Sequence, residues 1–131
     1  MRLIEAHKAI HKRVEPALDG LKLLDYLPAE QRPPFALMAG MEFSFADGMT
    51  TKLSTGYTVS QKIVIATKTR EKFKAIQVMN KIIEALSNPL EIDGADVLRQ
   101  FVTNGEVKEI SDEDFYAELN FNLWLEDKEN E

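Results

Sequence analysis

The sequence predicts a compact α+β domain, and three observations carry that prediction. From Tyr57 the chain alternates, with Tyr57, Val59, Ile63 and Ile65 on one side and Thr58, Ser60, Lys62 and Ala66 on the other. It then passes through KTREK straight into a helical pattern ending near Leu86. After a polar stretch it alternates again, with Phe115, Ala117, Leu119, Phe121, Leu123 and Leu125 against Tyr116, Glu118, Asn120, Asn122 and Glu126. Two long strands that each bury one face, with an amphipathic helix to cover them, form one packed unit.

The elements follow in order. Arg2 to Val14 reads as a helix, because Leu3, Ile10 and Val14 share a stripe while Lys8, Lys12 and Arg13 lie elsewhere. Pro16 and Gly20 stop or kink it. Pro28 to Pro34 is a loop whose last two prolines fix an extended entry to the next element. Phe35 to Phe45, rich in aromatic and apolar groups, reads as the first strand, with Gly40 marking a bulge or a close approach. Asp47-Gly48 is a turn signal. The polar run after it, which includes Met49, Thr50, Thr51, Lys52 and Leu53 and closes at Gly56, reads as a flexible loop or an extended arm. A second strand spans Tyr57 to about Lys68. Thr69 is the expected N-cap of the next helix. That helix carries Phe73, Ile76, Met79, Ile83 and Leu86 on one side, flanked by Val78 and Ile82, and Asn88-Pro89 ends it.

Leu90 to Ile92 fits a short edge strand, and Asp93-Gly94 a turn. Val97 to Thr103 supports two readings. Val97, Leu98, Phe101 and Val102 fit a helical turn, whereas Phe101, Val102 and Thr103 favour a strand. Asn104-Gly105 is a hairpin signal, followed by a strand from Glu106 to Ile110. Ser111 to Asp114 is a turn before the last strand. An acidic, frayed end is expected from Asp127 onward. We find no repeat and no pattern of a second domain, so residues 1–126 read as one domain and 127–131 as its end.

The 131 residues, 44% hydrophobic and 29% charged, are enough to bury a core without disulfides or metal. There is no Cys, which excludes disulfide staples, thiolate nucleophiles and zinc-thiolate sites. The N-terminus has no unbroken apolar run, and no stretch approaches the roughly 18 apolar residues needed to cross a bilayer. A soluble, intracellular protein with no membrane partner is expected. A net charge of −6 argues against a general nucleic-acid binder, and no sequence-specific nucleic-acid partner is expected. The charge is unevenly spread. Lys52, Lys62, Lys68, Arg70, Lys72, Lys74 and Lys81 fall in one stretch, and acidic residues dominate from Glu84 onward. Solubility and local ion pairs are the plain explanation. The sharper one is a positive surface on one copy meeting a negative surface on the next, as a head-to-tail ring requires.

Little in the chain carries reaction chemistry. His7 and His11, the two histidines, are spaced i, i+4 on the first helix, a spacing that can hold a metal. They lack the glutamate of a zinc-protease helix and any Cys partner. The run Ser111-Asp112-Glu113-Asp114 lacks the ligand spacing and central Gly of a calcium loop. The isolated glycines form no phosphate-cradling loop, and Ser54 and Ser60 have no nucleophile elbow. Neither an enzyme nor a cofactor or metal site is expected. The remaining candidates are surfaces. If the second and last strands pair, Lys62 and Glu118 are expected across from one another. That face is either solvated or buried against another subunit, and Trp124 standing on it points toward an interface.

The run DGMTTKLSTGYTVSQKIVIATKTREKFKAIQVMNKIIEAL and the later run ISDEDFYAELNFNLWLE resemble the minor capsid or tail-terminator (tail completion) proteins of long-tailed bacteriophages and prophages of Gram-positive bacteria. The resemblance covers about residues 1 to 126. It implies a small, mostly antiparallel sheet of about four strands packed by two helices. It implies a non-enzymatic head–tail joining role in virion assembly, first in the host cytoplasm and then in the virion neck. Such proteins form a homo-oligomeric ring, typically of six copies, that caps the tail tube protein and faces the head connector protein. No catalytic residue is carried over. On this reading Lys62, Lys68, Arg70, Lys72, Glu118 and Trp124 are candidate subunit-interface residues, and Met49 to Leu53 a candidate arm that orders on assembly. The rival expectation is a small regulatory module that captures a protein or peptide on the open sheet face or edge.

Overall fold

The computed structural model describes residues 1–45 and 56–128. Helix α1 (Leu3–Val14) runs into a single 3-10 turn at Glu15–Ala17, where Pro16 supplies no backbone N–H to continue the helix. Gly20 then takes φ +89°, a left-handed turn that costs a residue without Cβ little. Five strands follow: β1 (Leu23–Leu24), β2 (Phe35–Ser44), β3 (Gly56–Lys68), β4 (Ala95–Glu109) and β5 (Asp114–Asp127), with helix α2 (Lys72–Ala85) between β3 and β4. They form one sheet in the order β1-β2-β3-β5-β4. The two-residue β1 pairs in parallel with β2, and the other three pairings are antiparallel.

Strict alternation places the odd-numbered residues of β3 and β5 under the helices. Tyr57, Val59, Ile63 and Ile65 meet Leu119, Phe121, Leu123 and Leu125 there, and all eight are buried. Helix α1 covers them with Ala6, Ile10 and Val14, and α2 with Ala75, Val78, Met79 and Ile82. The even-numbered residues of the same strands form the other face, which no helix among the described residues covers. A small satellite cluster of Leu24, Phe35 and Ala66 closes one corner of it.

The α+β class, with one mostly antiparallel sheet and two helices, is as expected; the sheet of about four strands has five, because Leu23–Leu24 adds an edge that two residues are too short to announce. Several finer expectations are corrected. Asn104-Gly105 is no hairpin turn but mid-strand. β4 runs on to Glu109, Asn104 and Gly105 pair with Asn120 and Leu119, and cross-strand pairing outweighs the local turn signal. The ambiguous Val97–Thr103 segment belongs to this strand, with register shifts at Val97/Arg99 and Val102/Asn104. Leu90–Ile92 makes only an isolated bridge from Ile92 to Ala95. Thr69 is not the N-cap of α2. It opens a 3-10 turn ahead of the helix, and its hydroxyl donates to the Ser111 carbonyl instead. The buried stripe of α2 is centred on Val78 and Ile82, so Phe73 is 72% and Ile83 40% exposed. Asp127, placed by the sequence at the start of the frayed end, is the last residue of β5.

Candidate subunit interface

The uncovered face is polar along its centre. In register there, Thr58 faces Trp124, Ser60 faces Asn122 and Lys62 faces Asn120 across β3 and β5. Side chains extend this ladder to both neighbours. Ser44 and Thr58 share a hydroxyl hydrogen bond of 2.7 Å. The Asn120 amide donates to Asn104 Oδ1 at 3.0 Å, and the Asn122 amide to Thr103 Oγ1 at 2.8 Å. Lys62 and Glu118 are not directly opposed. Glu118 faces Val64 on β3, two residues from Lys62 on the same face, and faces Glu106 on β4. Two carboxylates opposed across an antiparallel pair disfavour each other. Trp124 is held within the chain: the Arg99 guanidinium lies 5.9 Å from its ring and 4.6 Å from that of Phe101.

The other candidate residues sit elsewhere, where β3 ends and the chain turns toward α2. Lys68 lies 3.6 Å from Asp114 and Lys72 lies 3.4 Å from Glu109, so both already meet acids of the β4–β5 turn. That turn is shaped by Ser111, whose hydroxyl accepts from the backbone N–H groups of Glu113 and Asp114. Arg70 is exposed and makes no ion pair among the described residues. The structure therefore splits the candidates into an open-face group, Lys62, Glu118 and Trp124, and a basic group at one end of the sheet, Lys68, Arg70 and Lys72. The arm Met49 to Leu53 lies outside the described residues.

At the opposite end of the sheet the Tyr57 hydroxyl donates to Asp127 at 2.7 Å and accepts from the Arg2 backbone N–H at 2.8 Å. Burial, with the Asp127 charge beside it, pushes the Tyr57 hydroxyl up to about 12. Burial alone would raise the Asp127 carboxyl. The hydrogen bond from Tyr57 and the nearby α-amino group of Met1, at 3.1 Å, outweigh it and hold the carboxyl below its ordinary value.

His7 and His11 converge on Asp25, with Nε2 to Oδ1 separations of 3.0 and 3.9 Å. No set of three side chains able to hold a metal ion is found among the described residues. The described residues present a polar sheet face, a basic end and two long strand edges. Residues that pattern reading passes over shape it. Gln61, buried under the helices, donates to the Ala39 carbonyl at 2.9 Å, next to the register shift between Met38 and Met41 that Gly40 marks. The signal available in the sequence was a polar residue at an apolar position of the alternation.

No protein-family model matches the sequence, and no curated protein matches it. The fold has solved counterparts. One is a chain of the virion of a native gene transfer agent particle, with a TM-score of 0.76 at 13% identity, covering 91% of this chain and 92% of that one. The likeness spans nearly the whole of both chains. It shows that this α+β fold occurs in a chain of that virion.

Proposed function

We propose that this chain is a structural subunit of a phage-like particle, a tail terminator or a closely related head–tail junction component. It closes into a ring on the tail tube protein and presents a surface to the head connector protein. The observation that carries this reading is the fold likeness to a virion chain along nearly the full length of both molecules. The phage-family resemblance of the IATKTREK and DEDFYAELNF runs supports the same assignment independently. Mechanism here means closure through complementary surfaces, since a ring joins two different patches on each copy. The open-face residues Lys62 and Glu118, with Trp124 held by Arg99 on the same face, and the basic end at Arg70 are the candidate groups for such contacts.

The test is co-expression with the tail tube protein of the same genome, followed by electron microscopy. The expected outcome is tubes of limited length, each capped by a ring containing this chain. Tubes of unlimited length, with the chain left unbound, would refute the assignment. One observation favours a second reading. The outer edge of β4 pairs with no strand among the described residues, and an extended peptide could add to it. Stoichiometric peptide uptake by a monomer would put that module in place of the terminator.

A further inference from the structure

We infer that the outer edge of β4 on one copy pairs with the outer edge of β2 on a second copy, with Lys108 set against Glu42. The inference deepens the ring reading by naming the surfaces that would close it. The sheet ends differently on its two sides. On one side β1 covers only Ala36 and Leu37 of β2, which leaves the edge from Met38 to Ser44 without a strand partner among the described residues. On the other side β4 is a 15-residue edge strand containing no proline. A long, uncovered edge is a template for pairing with another chain, and proteins usually blunt one that must stay single.

Direction, face and charge all fit the two edges together. β4 runs parallel to β3 and therefore antiparallel to β2, so a neighbouring β2 extends the antiparallel order of the sheet. Glu42 pairs with Ser60 and Lys108 with Tyr116, which places both charges on the uncovered face. Set opposite each other, they form a cross-strand ion pair. The same register brings Phe43 beside Val107 on the helix-bearing face. These two are 49% and 54% exposed, large apolar groups left about half open among the described residues.

The register also has the geometry of a closed wall. Glu42 lies level with Ser60, whereas Lys108 lies level with Ala66 through Tyr116. Each added copy therefore rises by six residues, about 20 Å, over four strand spacings, about 19 Å. That is a strand tilt of about 45°, at the upper end of the range over which sheets close into barrels.

Charge-swap variants studied by sedimentation velocity over a range of concentrations test the inference. Glu42→Lys and Lys108→Glu should each weaken self-association roughly tenfold, by replacing one attraction with a repulsion. The double variant, or an equimolar mixture of the two single variants, should restore it. Circular dichroism of each variant establishes that it is folded. Weakening by Lys108→Glu with no effect of Glu42→Lys overturns the inference in favour of β4 pairing with β4. Association unaffected by either variant, or a chain that stays monomeric throughout, also overturns it. The tail-tube co-expression assay judges the terminator reading separately, so the two failures are distinguishable.

Discussion

The Tyr57 hydroxyl donates to the Asp127 carboxylate at 2.7 Å, joining the first residues of β3 to the last of β5. Because it also accepts from the Arg2 N–H, one side chain ties the start of α1 to two central strands. Tyr57→Phe keeps the ring and removes the hydroxyl, leaving a carboxylate and an N–H short of a partner. A loss of about 1–3 kcal/mol in unfolding free energy is expected from urea titration. A change below a few tenths would mean that solvent replaces the hydroxyl at no cost.

The same pair sets the pH response. The Tyr57 pKa is raised from 10.0 to about 12, so above pH 10 the unfolded chain ionises this group while the folded chain keeps it neutral. Its contribution is complete below pH 10 and is lost as pH rises toward 12. Asp127 works in the opposite sense. Its carboxyl is held below the ordinary value, so its contribution is complete above that value and fades as pH falls through the depressed one. Stability profiles of the wild type and Tyr57→Phe should converge between pH 10 and 12. Parallel curves there would disprove the linkage.

Gln100 organises the link from α2 to β4. Its amide donates to the carbonyls of Leu86 and Asn88 at 2.9 and 2.7 Å and accepts from the Leu90 N–H at 2.7 Å. Arg13 grips the same link from α1, through the carbonyls of Ala85, Asn88 and Pro89. Gln100→Ala should cost about 1–3 kcal/mol and speed amide exchange at Leu90, read by hydrogen–deuterium exchange. Unchanged protection at Leu90 would show that the link holds without Gln100.

These contacts mark the boundary of what sequence patterns disclose. β3 and β5 were legible because burial on one face writes a period of two into both, and α2 because it keeps a period near 3.6. The stripe of α2 was misplaced by about one position, since Phe73 and Ile83 look as apolar as the Val78 and Ile82 that meet the sheet. β4 was broken in two by Asn104-Gly105. From Thr103 to Glu109 its residues are all exposed, so it carries no apolar alternation to contradict the turn signal. The interface candidates were found as charges but not as neighbours. Pairing register decides that Glu118 meets Glu106 and that Lys68 meets Asp114, and register depends on the whole sheet.

Gly105 illustrates the point. A Cβ at this position would come within 2.9 Å of the Glu118 carbonyl oxygen, a backbone atom that cannot move without disturbing β5. The glycine serves close strand approach, not a turn. Gly105→Ala should therefore destabilise the chain by about 1–3 kcal/mol, a typical cost of overpacking. At a hairpin position the same change would instead be penalised through a positive φ, which Gly105 does not have. A neutral or stabilising result in thermal unfolding would refute the close approach.

Arg70 separates assembly from stability. Lys68 and Lys72 make partly exposed ion pairs with Asp114 and Glu109, so reversing either charge should cost the fold about 0.2–1 kcal/mol. Arg70 makes no such pair among the described residues, and Arg70→Glu should leave the unfolding midpoint within error. If the basic end takes part in ring contacts, Arg70→Glu will still weaken self-association and flatten its dependence on salt, because it removes a cation from a screened contact. Sedimentation at low and high ionic strength reads both effects. Association that keeps its strength and salt slope in Arg70→Glu would remove the basic end from the interface and leave the open sheet face and the strand edges as its remaining candidates.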